Sequence, residues 1–284
     1  MDDELMTDLT GRHFLVTGAN TGIGKETARG LAKAGAKVTL AGRSEDKTRA
    51  AMTDITAETP GADLEFLQLD LADFESIRKA ASEFLGRGEP LHVLINNAGM
   101  AGSRGMTANG FELTFGTNYV GPFLLTQLLL DRLKQADAAR IVNVASTMHY
   151  QAKGIDWDAV RKPTASRVGM NEYSVSKLAN VLHAQELARR LAGTNVTTYS
   201  LHPGVIASDV YRRVPWPLRK LMTMFMKSTE EGAQTSLYCA TSEAAEAESG
   251  LYYDESKPKT PSRVATPELA SELWERSEAW VSES

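Results

Sequence analysis

From residue 13 onward the chain alternates short apolar runs with stretches of helix length. His13–Thr17, Lys37–Ala41, Leu64–Leu69, Leu91–Ile95, Arg140–Ala145, Val196–Leu201 and Gly250–Tyr253 read as buried strands. Between them lie helical segments. Gly22–Ala34 stops at Gly35, and Ser44 caps a helix running to about Glu58. Asp73 caps the next, Phe111–Lys134 and Asn171–Leu191 are long, and Pro267–Trp280 closes the chain. Strands that alternate with helices pair in parallel through right-handed crossovers, so helices cover both faces of one sheet. The expectation is an α/β fold with a doubly wound, mainly parallel sheet of about seven strands. Ligands of such sheets sit at the carboxyl ends of the strands.

At 284 residues the chain fits a single domain, 1–284, with no linker or repeat inside it. Cys239 is the lone cysteine, so no disulfide framework exists. None of the five histidines stands in ligand spacing with another or with Cys239, and no metal site is expected. A net charge of −5 argues against nucleic acid held by bulk charge. The opening MDDELMTDLT has no apolar stretch, and the run Phe123–Leu130 is too short to span a bilayer. A cytoplasmic protein without stable membrane insertion is expected.

The first strand ends in Thr17-Gly18-Ala19-Asn20-Thr21-Gly22-Ile23-Gly24. Glycines between a first strand and a first helix allow a tight turn, and they bring backbone N–H groups to a pyrophosphate at the helix's positive end. This is a Rossmann-type dinucleotide cradle, with spacing Gly-x-x-x-Gly-x-Gly. The second strand ends Gly42-Arg43-Ser44, where an NAD site usually offers a carboxylate to the ribose. Gly42 cannot; Arg43 can clamp a 2′-phosphate with Ser44 as second donor, so NADP(H) is expected ahead of NAD(H). The bland alternative is a surface arginine beside a capping serine. Asp70 either accepts from the adenine amino group or starts the helix near Asp73.

Tyr173 and Lys177 stand four apart at the start of a long helix and share one face. A free tyrosine, with a pKa of about 10, is a poor base at neutral pH, and a neighbouring ammonium favours the phenolate. Taken alone the pair is an ordinary helix face. Ser146 at the end of the fifth strand falls on the ligand side and can hold a substrate oxygen. Asn96-Asn97-Ala98-Gly99 ends the fourth strand in a small-residue turn, and His202-Pro203-Gly204-Val205 ends the sixth in a rigid one. Asn118, inside the long helical segment, either caps, kinks or holds a water.

These motifs together resemble the short-chain dehydrogenase/reductase family, from about Gly11 to about Tyr253. The runs 173–182, 197–205 and 231–240 are similar to its retinol dehydrogenase branch and WW-domain oxidoreductase relatives. The resemblance implies Tyr173 as general acid/base and Lys177 as the residue that lowers its pKa and holds the nicotinamide ribose. It implies Ser146 as orienter of the carbonyl and Asn118 as part of a water-linked proton relay. It places the dinucleotide against Gly18, Asn20, Thr21, Gly22, Ile23, Gly24, Arg43, Ser44, Asp70, Leu71, Asn97, Ala98, Gly99, Tyr173, Lys177, Pro203, Gly204, Val205 and Ser208. It also implies a homodimer or homotetramer built on the two long helices, whose apolar residues are enough to serve a second subunit.

The expected activity is hydride transfer between an apolar ketone or aldehyde and its alcohol. The alternatives are a nucleotide-sensing protein without turnover, and an epimerase or dehydratase, for which the C-terminal region is short. The stretch Thr147–Glu172 brings His149, Tyr150 and Trp157, which either wall the substrate pocket or pack the stretch onto the body. Segment 205–230, with Trp216 among leucines, methionines and basic residues, reads as a substrate lid, or as a basic amphipathic helix at a membrane surface. Residues 254–284 are expected to form a surface tail and the last helix.

Overall fold

The computed structural model describes residues 8–204 and 228–282. Seven parallel strands and one antiparallel strand form one sheet in the order β3-β2-β1-β4-β5-β6-β7-β8. They are β1 (His13–Thr17), β2 (Lys37–Gly42), β3 (Leu64–Gln68), β4 (Val93–Asn96), β5 (Ala139–Val144), β6 (Val196–His202), β7 (Leu251–Asp254) and β8 (Lys257–Lys259). The helices are α1 (Gly22–Lys33), α2 (Glu45–Glu58), α3 (Phe74–Gly86), the single turn α4 (Leu113–Phe115), α5 (Gly121–Lys134), α6 (Met170–Arg190), α7 (Thr229–Thr241) and α8 (Pro267–Ser282). The order reverses between β1 and β4, which opens a crevice above their carboxyl ends.

Strand alternation divides the core into two layers. Phe14, Val16, Val38, Leu40, Val142 and Val144 face α1 and α7. Leu15, Leu67, Leu94 and Ile141 face the opposite way, into the layer that holds residues of α3, α5, α6 and α8. Expected and observed elements agree within a few residues, with two departures. The polar tail after Tyr253 contributes β8, paired to β7 through Glu255 and Ser256, both in the left-handed region (φ 52° and 57°). That two-residue turn lacks the Asn-Gly signal that usually announces a hairpin. The long helix expected over Phe111–Lys134 is interrupted by a π-turn, Gly116–Val120, which carries Asn118.

The long helix α6 is largely covered within the chain. Residues Ser176–Ala184 of α6 are all buried inside this one chain. The sheet lies on one side, and α8 covers another with Ala270, Leu273, Trp274 and Ser277. Trp274 meets His183 and Phe123, and Trp280 meets Phe111 and Phe115. The buried side chains of α6 are thus shared between the sheet and the chain's last helix. Trp157 joins the same cluster, beside Trp280 and beneath the Arg276 guanidinium, so it packs rather than walls a pocket. Among the described residues no helix is long and apolar enough to cross a membrane.

Candidate active site

The turn after β1 is drawn tight against the turn after β4. Thr17 Oγ1 accepts from the backbone N–H groups of Asn97 and Ala98, each at 3.0 Å, and Asn97 Nδ2 donates to the Thr17 carbonyl at 2.8 Å. Gly18 has φ +67°, and a Cβ there would lie 2.8 Å from the Ala98 Cα. A Cβ on Gly24 would collide with the Gly18 carbonyl and the Asn97 amide nitrogen. The fold thus requires bare backbone here, as a pyrophosphate cradle does. Asn20, Gly22 and Ile23 are partly exposed and Thr21 exposed at the mouth of α1.

That mouth differs from those of α2, α3 and α7, which Ser44, Asp73 and Ser228 cap with their side chains. Thr21 makes no such cap, and the first turn of α1 contains no acidic residue. Its N–H groups and the positive end of the helix dipole are left for an anion. Beside it, Arg43 is exposed, and its guanidinium has no ion-pair partner among the described residues. Gln68 Nε2 anchors the Arg43 carbonyl at 2.9 Å. Ser44 Oγ accepts from the Lys47 N–H at 3.5 Å, which leaves the hydroxyl proton available. Asp70 Oδ1 accepts from the Ala72 N–H at 3.0 Å, so Asp70 does shape the turn before α3, with Leu71 buried beside it.

The second cluster lies where α6 passes the end of β5. Lys177 is 3% exposed; its Nζ donates to the Val144 carbonyl at 2.7 Å and stands 5.5 Å from the centre of the Tyr173 ring. Burial pulls its pKa down to about 8. Asn180 Nδ2 donates to the same carbonyl at 3.2 Å. A Cβ on Gly99 would lie 3.3 Å from Lys177 Nζ and 3.6 Å from Asn118 Oδ1, so the lysine, the asparagine and the turn after β4 converge. Asn118 holds that turn: Oδ1 accepts from the Met100 N–H at 2.8 Å, and Nδ2 donates to the Met100 carbonyl at 2.9 Å and to Ser176 Oγ at 3.0 Å. Both hydrogens of its amide nitrogen are committed to protein partners, while Oδ1 keeps a second lone pair. Ser146 is buried at the end of β5; its Oγ accepts from the Met148 N–H at 3.2 Å and keeps its proton to donate.

Two residues expected to wall the pocket are bound elsewhere. His149 is fully buried, with its ring nitrogens against the Ser146 carbonyl and the Ser262 N–H. Tyr150 is exposed and donates to the Thr260 carbonyl at 2.6 Å. Both pack the stretch onto the body. Pro203 and Gly204 follow β6 at the same sheet edge, whereas Val205, Ser208 and Trp216 lie outside the described residues. The supporting roles of Thr17, Ser176 and Asn180 carry no signal in local spacing. Neither does the buried bond from Asn96 Nδ2 to Asn143 Oδ1, at 3.0 Å. At the opposite edge of the sheet, His13, Glu65 and Glu89 gather, but Lys37 Nζ lies 2.8 Å from Glu65 and 2.6 Å from Glu89 and supplies the cation itself.

The short chain dehydrogenase family model matches residues 12–216. Human retinol dehydrogenase 12 is 46% identical over 270 residues, 94% of this chain and 85% of that protein. A crystallised uncharacterized protein from Mycobacterium paratuberculosis is 32% identical, covering 98% of this chain and 96% of its own with a TM-score of 0.78. A crystal structure from Beutenbergia cavernae described as a "putative NAD(P) dependent gluconate 5-dehydrogenase", with bound NADP at low occupancy, is 26% identical; it covers 87% of this chain and 96% of its own, with a TM-score of 0.70. The chain belongs to the short-chain dehydrogenase family, NAD(P)-dependent oxidoreductases of alcohols and carbonyls.

Proposed function

We propose that this chain interconverts an apolar ketone or aldehyde and its alcohol with NADP(H) in preference to NAD(H), using Tyr173 as the general acid/base. The observation that carries the reading is the convergence of Tyr173, Lys177 and Asn118 beside the uncapped mouth of α1, at the ligand edge of a parallel sheet. A nicotinamide dinucleotide, when bound, supplies or accepts the hydride. Gly18–Gly24 would hold its pyrophosphate, Arg43 and Ser44 its 2′-phosphate, and Lys177 its nicotinamide ribose. In reduction the Tyr173 hydroxyl gives its proton to the carbonyl oxygen; in oxidation the phenolate takes it back. Lys177, still protonated at neutral pH, favours the phenolate. The Ser146 hydroxyl donates to the same substrate oxygen and fixes its direction.

The NADP preference rests on Arg43, an exposed cation without an acidic partner among the described residues, where a carboxylate would be needed for NAD. The apolar substrate class rests on similarity to a protein named retinol dehydrogenase, and on the methionine-rich segment expected as a lid. A cytoplasmic location belongs to the same reading and rests on composition. A homodimer or homotetramer is proposed only on surfaces other than Ser176–Ala184, and light scattering reads it.

The test is NADPH and NADH binding by fluorescence, followed by oxidation of the bound reduced cofactor against apolar ketones, aldehydes and retinal. Tighter NADPH binding with turnover of at least one apolar carbonyl is the expected result. Turnover confined to small charged substrates, or equal affinity for the two cofactors, contradicts the corresponding part.

A further inference from the structure

His149 follows Ser146 by three residues, in the 3-10 turn Thr147–Gln151. Both its ring nitrogens are within hydrogen-bond reach of backbone groups whose roles are fixed by chemistry. Nδ1 lies 2.7 Å from the Ser146 carbonyl, which can only accept, so Nδ1 carries the hydrogen. Nε2 lies 3.1 Å from the Ser262 N–H, which can only donate, so Nε2 carries the lone pair. One neutral tautomer satisfies both; a second proton on Nε2 would leave the Ser262 N–H facing another donor. The ring is held between Tyr150, 3.9 Å away centre to centre, and Tyr252 of β7, at 4.6 Å.

The consequence falls on Ser146. Its carbonyl receives the His149 backbone N–H at 3.0 Å as well as Nδ1–H, while its Oγ receives the Met148 N–H. The peptide after Ser146 is pinned from two sides, and the direction of Oγ with it. The far end of the pin is the segment after β8, whose Thr260 carbonyl also takes the Tyr150 hydroxyl. We propose that His149 is a positioning residue for Ser146, its Nδ1–H holding the Ser146 carbonyl so that the serine hydroxyl is aimed before substrate arrives. This rests on the reading of Ser146 as the group that orients the carbonyl.

Two conservative variants separate the Nδ1 bond to Ser146 from the Nε2 bond to Ser262. An asparagine amide can reproduce the Nδ1 donor, and a glutamine amide the Nε2 acceptor. His149→Asn should keep kcat within about threefold of wild type, whereas His149→Gln should lower kcat about tenfold with KM for the cofactor unchanged. A merely space-filling histidine predicts the reverse order, because asparagine leaves the larger void. In a Ser146→Ala background the glutamine variant should cause no further loss, because its effect acts through Ser146. Nitrogen chemical shifts of histidine-labelled protein should report the Nδ1–H tautomer at His149. Equal effects of the two variants, an additive loss in the Ser146→Ala background, or the other tautomer would overturn the proposal. Wild-type inactivity on every carbonyl would instead refute the parent reading, and this role with it. An active wild type with an unimpaired glutamine variant refutes this proposal alone.

Discussion

The turn after β1 and the turn after β5 lie at the same edge of one sheet and are built by opposite means. The first works by leaving side chains out: Gly18 and Gly24 expose backbone, and α1 begins without a cap. The second works by placing side chains, with a lysine buried beside a tyrosine and a serine pinned at its backbone. A site made of backbone can be damaged by adding one carbon. A site made of side chains can be silenced by removing one oxygen while the fold is untouched. The contrast between the two turns therefore predicts which property each substitution changes.

The largest effect should come from Tyr173→Phe. Removing the hydroxyl removes the proton donor, and turnover should fall by about 10³-fold or more. Tyr173 is not part of the phosphate cradle, so the NADPH dissociation constant should stay within about threefold. Steady-state rates alongside fluorescence titration read both numbers. A variant that kept a tenth of wild-type turnover would end the assignment of the acid/base.

Gly24→Ala should do the converse. The added carbon meets the Gly18 carbonyl and the Asn97 amide, so either the loop or Asn97 must move. Overpacking of this kind costs about 1–3 kcal/mol, which is roughly fivefold to hundredfold in cofactor affinity if the loop absorbs it. The rate at saturating cofactor should change little. Unaltered NADPH affinity would mean that the loop is not the cradle.

Arg43→Ala tests the edge of the same cradle. Losing one guanidinium contact to a 2′-phosphate should weaken NADPH about tenfold and NADH less than twofold. Equal losses for the two cofactors would place Arg43 outside the phosphate site.

The two turns also differ in how far they could be read from the chain. Gly18 to Gly24, and Tyr173 with Lys177, are short-range patterns; their spacing alone places them on a turn or on one helix face. What holds them is long-range. Thr17 meets Asn97 across 80 residues, Asn118 meets Ser176 across 58, and His149 meets Ser262 across 113. No local pattern marks such pairs, and so His149 read equally well as a pocket wall or as packing. The π-turn at Asn118 escaped for a related reason: its flanks share one helical pattern, and the inserted geometry leaves no trace in hydrophobic spacing. The hairpin into β8 turns on Glu255 and Ser256, residues that carry no turn signal of their own.

The smallest effect concerns what the second turn costs when no cofactor is present. Lys177 is charged at neutral pH although 3% exposed, and burial draws its pKa down to about 8 from an ordinary 10.5. Between those values the unfolded chain binds more protons than the folded one, so this residue makes stability rise with pH across that window. Below pH 8 the burial penalty is present in full, with an upper bound of roughly 3 kcal/mol. Methionine fills much of the lysine stem without the charge, and the Val144 carbonyl keeps the Asn180 amide as donor. Cofactor-free Lys177→Met should therefore melt a few degrees above wild type at pH 7 while losing turnover, and the gap should close as pH approaches 10.5. Thermal melts of both proteins at the two pH values read this directly. A variant less stable than wild type at pH 7 would show that the ammonium, even empty-handed, holds the end of β5 together.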